Sequence, residues 1–294
     1  MTKLLVTLFF LYSSLILSQA FTYTLCYEKS QMELQLFNNL YSENRVITKD
    51  KLHTFYNTLS STFIYGINSK LNIGVRPRLR KVFRSTHPTV GDFLKIKEHY
   101  LSDISFSRLA ITGSELIIRH PITIKNIQFT FQHQIGFPIG NNLSGNSQKA
   151  YIDWDGWSLH SQVFYSYYRN KFQLFAESGI RADNITSGTI LGLSSYFSYA
   201  SIPTTVLPGY SINQRNHIYF LCQYTPRWSF QDQVESNYDP YANLGLGFKH
   251  FFLNNYEIEF IGSRFYTYIQ GVNSYTISIG LRKIWGRDLY STSD

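Results

Sequence analysis

Three arginines at alternate positions, Arg76, Arg78 and Arg80, form a regular row of positive charge. Alternate residues of a β-strand point to the same face, so a strand here projects the three guanidinium groups in one line, about 7 Å apart. Guanidinium groups bind carboxylates and phosphates through paired hydrogen bonds. A row of arginines along a polar passage therefore predicts a preference for anions or acidic solutes.

Further charged residues of both signs occur in segments with a strand-like pattern. They are Glu177, Arg181, Lys249, Glu257, Glu259 and Arg282. These groups can select a solute that passes between them, or they can pair across a narrow interior and hold it together. The sequence leaves both roles open.

Ser158 and His160 are a nucleophile and a base placed two residues apart, on one face of a strand. A serine beside an isolated histidine on a strand is more often a polar pair than a catalytic one. We therefore predict no catalytic residues and no enzymatic activity. An enzyme acting on lipid stays as the least favoured alternative.

No cofactor or metal site is predicted, because the histidines and the two cysteines lack zinc-site spacing. Two cysteines are also too few for a disulfide scaffold. The formal net charge is +8, but the basic residues are scattered and form no block. Nucleic acid is therefore not a predicted partner.

The first twenty residues have the pattern of a secretory signal peptide. Lys3 precedes an apolar run from Leu4 to Leu17, and Ser18-Gln19-Ala20 fits the small-x-small cleavage rule. The chain after residue 20 contains no apolar stretch of about 18 residues that predicts a spanning helix. An exported chain of this kind is either soluble or spans a membrane as a closed barrel.

A period of two residues dominates the remaining sequence. In the clearest segment, Ile127, Phe129, Phe131 and Ile135 alternate with polar residues. One such strand fits a soluble sandwich as well as a barrel, because both have one apolar face. Many of the segments, however, reach about ten residues, which is the length that crosses a bilayer at a tilt.

We predict about twelve strands, with ten or fourteen as alternatives. Their spans are 31–42, 54–66, 70–83, 101–118, 123–137, 157–168, 171–183, 188–201, 205–225, 240–252, 256–269 and 274–285. Connections after the second, sixth and tenth strands are tight, whereas those after the first, third, fifth and ninth are longer. This alternation places the long loops on one side and both termini on the other.

Aromatic residues are abundant, with 23 Tyr and 23 Phe in 294 residues, whereas charged residues make up only 16%. Several aromatic residues fall at or near predicted strand ends, where the two interfacial belts of a membrane barrel would lie. The candidates are Trp154, Trp157, Tyr167, Trp228 and Trp285.

These features together resemble the outer-membrane β-barrel proteins of Gram-negative bacteria, in the broad sense of porins and transporters. The resemblance is carried by the signal peptide, the alternating hairpins over 31–285, and a terminal strand that ends at Trp285. It implies an all-β fold: a single antiparallel up-and-down barrel in the outer membrane. It also implies that the terminal strand is recognised by the barrel-assembly machinery.

The predicted organisation is a signal peptide at 1–20, a periplasmic segment at 21–30, the barrel at 31–285 and a tail at 286–294. We predict a passive channel for small polar solutes, anions among them, with outer-membrane lipid as the surrounding partner. The alternative is a non-conducting barrel that anchors or assembles a partner complex.

Overall fold

The computed structural model describes residues 26–47, 50–86, 99–102, 105–145, 149–186, 196–231, 235–252, 255–267 and 272–286. The predicted signal peptide at 1–20 and most of the predicted tail lie outside these ranges. Within them, no helix is long and apolar enough to cross a membrane. The described secondary structure consists of strands: β1 Met32–Ile47, β2 Asp50–Asn68, β3 Leu71–Ser85, β4 His99–Ser102, β5 Ser105–Ile124, β6 Ile127–Pro138, β7 Trp157–Arg169, β8 Phe172–Thr186, β9 Tyr196–Ser201, β10 Thr204–Ser211, β11 Asn216–Thr225, β12 Arg227–Gln231, β13 Glu235–Tyr238, β14 Tyr241–Phe252, β15 Tyr256–Thr267 and β16 Val272–Trp285.

The strands form a closed antiparallel barrel. β1 pairs with β2 on one side and with β16 on the other, where Met32 is opposite Trp285. Three pairs of consecutive strands each occupy a single strand position in the barrel wall. The pairs are β9 with β10, β11 with β12, and β13 with β14. β4 is a short hairpin partner of β5 outside the main order. The wall therefore has twelve strand positions, which confirms the predicted all-β barrel and its strand number.

Prolines interrupt three neighbouring strand lines. Pro203 lies between β9 and β10, Pro226 between β11 and β12, and Pro240 between β13 and β14. Proline has no amide hydrogen, so it cannot donate to the ladder, and the strands divide there. Hydrogen bonds still join the lines beside the breaks. The Gly179 N–H donates to the Pro203 carbonyl, the Ile202 N–H to the Pro226 carbonyl, and the Asp239 N–H, next to Pro240, to the Arg227 carbonyl.

The prediction of one long strand over 205–225 was wrong. β10 ends at Ser211, and a turn at 212–215 leads into β11. The Asn213 side chain forms this turn, because its Oδ1 accepts hydrogen bonds from the backbone N–H groups of Arg215 and Asn216, both at 2.9 Å. The sequence signal was missed because apolar alternation continues through Tyr210 and Ile212.

The two ends of the barrel differ. The end that carries both termini, here called the turn side, has the short connections 69–70, 125–126, 170–171, 212–215 and 253–255. Lys125, Asn126, Asn170 and Asn255 have positive φ there, as tight hairpin turns require. The opposite loop side carries the long connections 86–98, 139–156 and 187–195. The connections after the first and ninth predicted strands were wrongly expected to be long. The strands on either side extend further than predicted, so the connection between β1 and β2 is only residues 48–49 and that between β12 and β13 only residues 232–234.

The barrel has polar residues inside and apolar residues outside. Buried side chains include Glu33, Arg119, Gln132 and Lys249, whereas Ile111, Ile180, Leu246 and many other large apolar residues are exposed. A soluble protein has the reverse arrangement. An apolar outer wall around a polar interior is the pattern of a barrel embedded in lipid.

Candidate functional site in the barrel lumen

The three arginines of β3 point into the lumen, where acidic side chains neutralise them. Arg76 Nη1 lies 3.0 Å from Glu115 Oε2, and Arg78 Nη1 lies 3.7 Å from Glu115 Oε1. Asp153 lies 3.8 Å from Arg78 Nη2 and 3.3 Å from Arg80 Nη1. The row is thus part of an ion-pair network that joins β3, β5 and the connection between β6 and β7.

The described parts of that connection, residues 139–145 and 149–156, fold into the loop side of the lumen and are here called the inner loop. Its Leu143 and Ile152 are fully buried and belong to one apolar cluster with Val82 and Phe106 of the wall. The Arg80 guanidinium donates to the Ile152 carbonyl at 3.1 Å. Arg108 anchors the loop as well, through its guanidinium.

Arg108 Nη1 donates to the Asn142 carbonyl at 2.9 Å and to the Ala150 carbonyl at 2.6 Å. The inner loop also has an internal clasp at Asp155. The Asp155 carboxylate accepts hydrogen bonds from the backbone N–H of Leu143 at 2.6 Å and of Ser144 at 3.0 Å. Desolvation alone would raise the pKa of Asp155, but the hydrogen bonds from Ser144 and Leu143 outweigh it and lower that pKa. The inner loop is thus fixed in place by charge and by backbone hydrogen bonds.

A second ionic group, here called the lower cluster, fills the turn side of the lumen. It consists of Lys249, Glu257, Glu259, Arg282 and Glu33. Lys249 Nζ lies 3.1 Å from Glu257 and 3.4 Å from Glu259, and Arg282 contacts Glu257 and lies 4.0 Å from Glu33. Strand register explains the pairing, because Lys249 is opposite Glu259 and Glu257 is opposite Arg282. Lys249 is only 1% exposed, so the cluster is withdrawn from water.

The segment before β1 closes the turn side of the barrel. Tyr27 is fully buried with Ile64 and Ile284, and its hydroxyl donates to Glu33 of the lower cluster. The Tyr27 N–H donates to Asn72 Oδ1 at 2.7 Å, and Asn72 Nδ2 donates back to the Tyr27 carbonyl at 2.9 Å. Cys26 adjoins it as a free thiol, and burial raises its pKa. Cys222 is also free.

A cavity of about 510 Å³ lies in the lumen between these features, and we call it the chamber. One part of its wall is polar and includes Arg76, Glu115, Arg119, Gln132, His160, Glu177 and Arg181. Another part is apolar and includes Phe37, Phe164, Phe175, Leu207, Leu221, Ile261 and Phe265. A second cavity of about 320 Å³ adjoins it at His160, Glu177 and Arg181. The chamber can therefore contact the polar and the apolar parts of one solute.

The predicted charged residues separate into three places. Arg76, Glu177 and Arg181 border the chamber, Arg78 and Arg80 hold the inner loop, and Lys249, Glu257 and Glu259 lie in the lower cluster. Arg282 belongs to the lower cluster and also borders the chamber. Sequence reasoning missed Glu115 and Arg119. Their inward alternation along β5 is a usable signal. It also missed Asp153 and Tyr27, which lie outside the strands, where no period applies.

Ser158 and His160 both lie on β7, and His160 borders the chamber. Within the described ranges, no hydrogen bond joins the two side chains, and no group of His, Cys, Asp and Glu is arranged to hold a metal ion. Among the aromatic candidates, Trp157 and Tyr167 are exposed on the outer wall and Trp285 ends β16. Trp228 lies on β12 beside Tyr238, and Trp154 lies in the inner loop beside Tyr151 and Tyr199.

The chain matches no protein-family model and no curated protein. Its fold is similar to that of an outer membrane channel from Pseudomonas putida F1, with a TM-score of 0.58 and 12% identity over 91% of this chain and 99% of that one. The chain has the fold of an outer-membrane β-barrel. Further similar folds are the translocator domain of autotransporter NalP from Neisseria meningitidis (TM-score 0.49, 8% identity, 88% and 90% of the two chains) and the monoaromatic hydrocarbon channel CymD (TM-score 0.46, 9% identity, 88% of each chain).

The barrel lies in the outer membrane, because its fold is that of outer-membrane barrels and its apolar outer wall requires lipid around it. In outer-membrane barrels the short turns lie on the periplasmic side and the longer loops on the extracellular side, so we expect the turn side to face the periplasm and the loop side to face outward.

Proposed function

We propose that this barrel is a channel for small solutes, in which the solute occupies the lumenal chamber before it crosses. The observation that carries the proposal is the cavity of about 510 Å³ inside a closed barrel, bordered by polar and charged side chains. A barrel that serves only as an anchor needs no solvent-sized space at its centre.

The solutes that suit the chamber are small and polar, with an acidic group favoured. Arg76, Arg119, Arg181 and Arg282 border it, against Glu33, Glu115 and Glu177. The apolar wall around Phe164 and Phe175 adds a surface for a short apolar portion of the same solute. Passage requires some rearrangement, because the inner loop and the lower cluster narrow the two ends of the lumen.

The second candidate is a barrel that anchors or assembles a partner. The lower cluster favours this role, because its charged side chains neutralise one another inside the barrel and so act in holding it together rather than in contacting a solute. A lipid-acting enzyme with Ser158 and His160 is the third candidate, and the absence of a described hydrogen bond between them counts against it.

Swelling of liposomes that contain the refolded chain tests the channel. We expect swelling with small acidic and neutral solutes, and a lower rate for solutes too large for the chamber. Arg76→Gln should reduce the rate for an acidic solute relative to a neutral solute of similar size, with Lys70→Gln on a periplasmic turn as the control. Liposomes that contain folded barrel yet do not swell with any solute would favour the anchoring role.

A further inference from the structure

The outer wall of the barrel carries an apolar groove of about 820 Å³, separate from the lumen. It crosses the wall from β8 to β16, and its lining includes Phe172, Tyr210, Phe220, Leu246, Gly262 and Ile277. The groove is a depression between large apolar side chains that the wall exposes to lipid.

Within the groove, position 262 lacks a side chain. Gly262 is opposite Leu246 on β14 and opposite Ile277 on β16. Leu246 is 68% exposed and Ile277 is 60% exposed, so they form two ridges. A Cβ placed on Gly262 would have no atom within 4 Å. A notch one residue wide therefore lies between the ridges.

The groove begins at the periplasmic rim and rises into the wall. Phe172 is the first residue of β8, and Tyr210 is next to the last residue of β10, so both lie beside turns. Gly262 and Ile277 lie in the middle of β15 and β16. Because strands of a barrel are tilted, a line that follows strand register climbs across the membrane. The groove thus has one end at the headgroup level and the other in the hydrocarbon.

Two cations stand at the periplasmic end. Lys171 is exposed, with Nζ 5.9 Å from the centroid of the Tyr210 ring, and Arg215 is exposed on the 212–215 turn. The Ser211 N–H donates to the Lys171 carbonyl at 2.8 Å, which ties the two turns together. The turns at 170–171 and 212–215 contain no acidic residue, and no salt bridge of the described residues involves Lys171 or Arg215.

We propose that this groove binds an anionic phospholipid of the periplasmic leaflet, with the phosphate at Lys171 and Arg215 and one acyl chain along the groove to the notch at Gly262. Charge complementarity selects an anionic headgroup at this rim. The apolar lining and the climb into the wall suit an extended chain. A second copy of the protein fits less well, because a symmetric contact would bring the same cations together.

Native mass spectrometry tests the proposal. The refolded protein is inserted into vesicles that contain equal amounts of dioleoyl-phosphatidylglycerol and dioleoyl-phosphatidylethanolamine, and the lipids that stay bound after its release are identified. We expect one retained phosphatidylglycerol for each barrel. The double variant Lys171→Gln/Arg215→Gln should lower its retention about tenfold or more, since two rim cations are lost. Lys70→Gln, on another periplasmic turn, should leave retention unchanged.

Gly262→Leu provides an independent test, because it fills the notch without meeting another atom. It should lower retention of the long-chain lipid while the cations remain. Equal retention of both lipids, an equal effect of Lys70→Gln, or a dimer in place of the bound lipid would each overturn the proposal. If Gly262→Leu fails to fold, the rim variant decides alone, because its two positions are exposed turn residues. Solute flux is not a readout here, so failure of the channel proposal leaves this result unaffected.

Discussion

Asp153 of the inner loop lies 3.3 Å from Arg80 of β3, which ties the 139–156 connection to the wall of the barrel. The same carboxylate lies 3.8 Å from Arg78. One acidic residue thus neutralises two members of the arginine row and also positions the loop that narrows the lumen. Charge balance and loop position are therefore coupled.

Asp153→Asn removes this coupling. We expect the variant to favour anions more than the wild type, because Arg80 loses its acidic partner and Arg78 keeps only Glu115. We also expect it to conduct more, because the inner loop is less firmly held. The reversal potential in a salt gradient across a planar bilayer measures the selectivity. Asp239→Asn, which removes the partner of Arg227 outside the inner loop, is the control. An unchanged reversal potential would show that the arginine row does not set selectivity.

Tyr27→Ala opens the periplasmic end. The variant loses a fully buried aromatic ring, so we expect faster solute entry in liposome swelling and a loss of about 3 kcal/mol in the free energy of unfolding. Glu28→Ala, at an exposed neighbouring position, is the control. Swelling at the wild-type rate, together with the loss of stability, would mean that Tyr27 packs the barrel without obstructing it.

Lys249→Met removes the buried cation that pairs with both Glu257 and Glu259 in the lower cluster. Breaking a buried ion pair on one side costs about 3–5 kcal/mol, so urea should unfold the variant at a clearly lower concentration than the wild type. Combining Lys249→Met with Glu259→Gln should recover part of the loss. Single and double variants of equal stability would contradict the role of this pairing.

The clasp at Asp155 makes the inner loop sensitive to acid. The pKa of Asp155 is lower in the folded protein than in the unfolded chain, where it is about 3.9. The carboxylate therefore stabilises the folded loop in full above this unfolded pKa, and the stabilisation is lost as the pH falls through the folded pKa. Trp154 reports on the loop, since its ring centroid lies 5.3 Å from that of Tyr199. With the other tryptophans replaced by Phe, we expect its fluorescence to change below about pH 4.

Asp155→Asn should show the acid spectrum already at neutral pH, because the amide cannot supply the same charged acceptor. Glu28→Gln, in the periplasmic segment, is the control and should titrate like the wild type. A fluorescence change that persists unaltered in Asp155→Asn would assign the acid response to another group.

The sequence was sufficient to predict the barrel, its strand number and the side on which the termini lie, because alternation directly reflects which face meets lipid. It also placed Lys249, Glu257 and Arg282 inside, since each alternates with outward apolar residues. The ion partners were harder to predict. Asp153 and Tyr27 reach the lumen from segments without a period, and their positions depend on long-range folding rather than local pattern.

The breaks at Pro203, Pro226 and Pro240 show a second limit. Each proline marks the end of a short strand, but only the register between distant strands shows that the three lie on neighbouring lines of one wall. The chamber is a further case, because its lining combines residues of strands that are far apart in the chain, from β1 to β16.

Single-channel recording from the refolded chain in a planar bilayer is the most direct test of the channel, with the wild type compared with Tyr27→Ala/Asp153→Asn. We predict discrete small conductance steps for the wild type and larger steps for the double variant, because both ends of the lumen are then less obstructed. A correctly folded barrel that is electrically silent in both forms would contradict a conducting lumen.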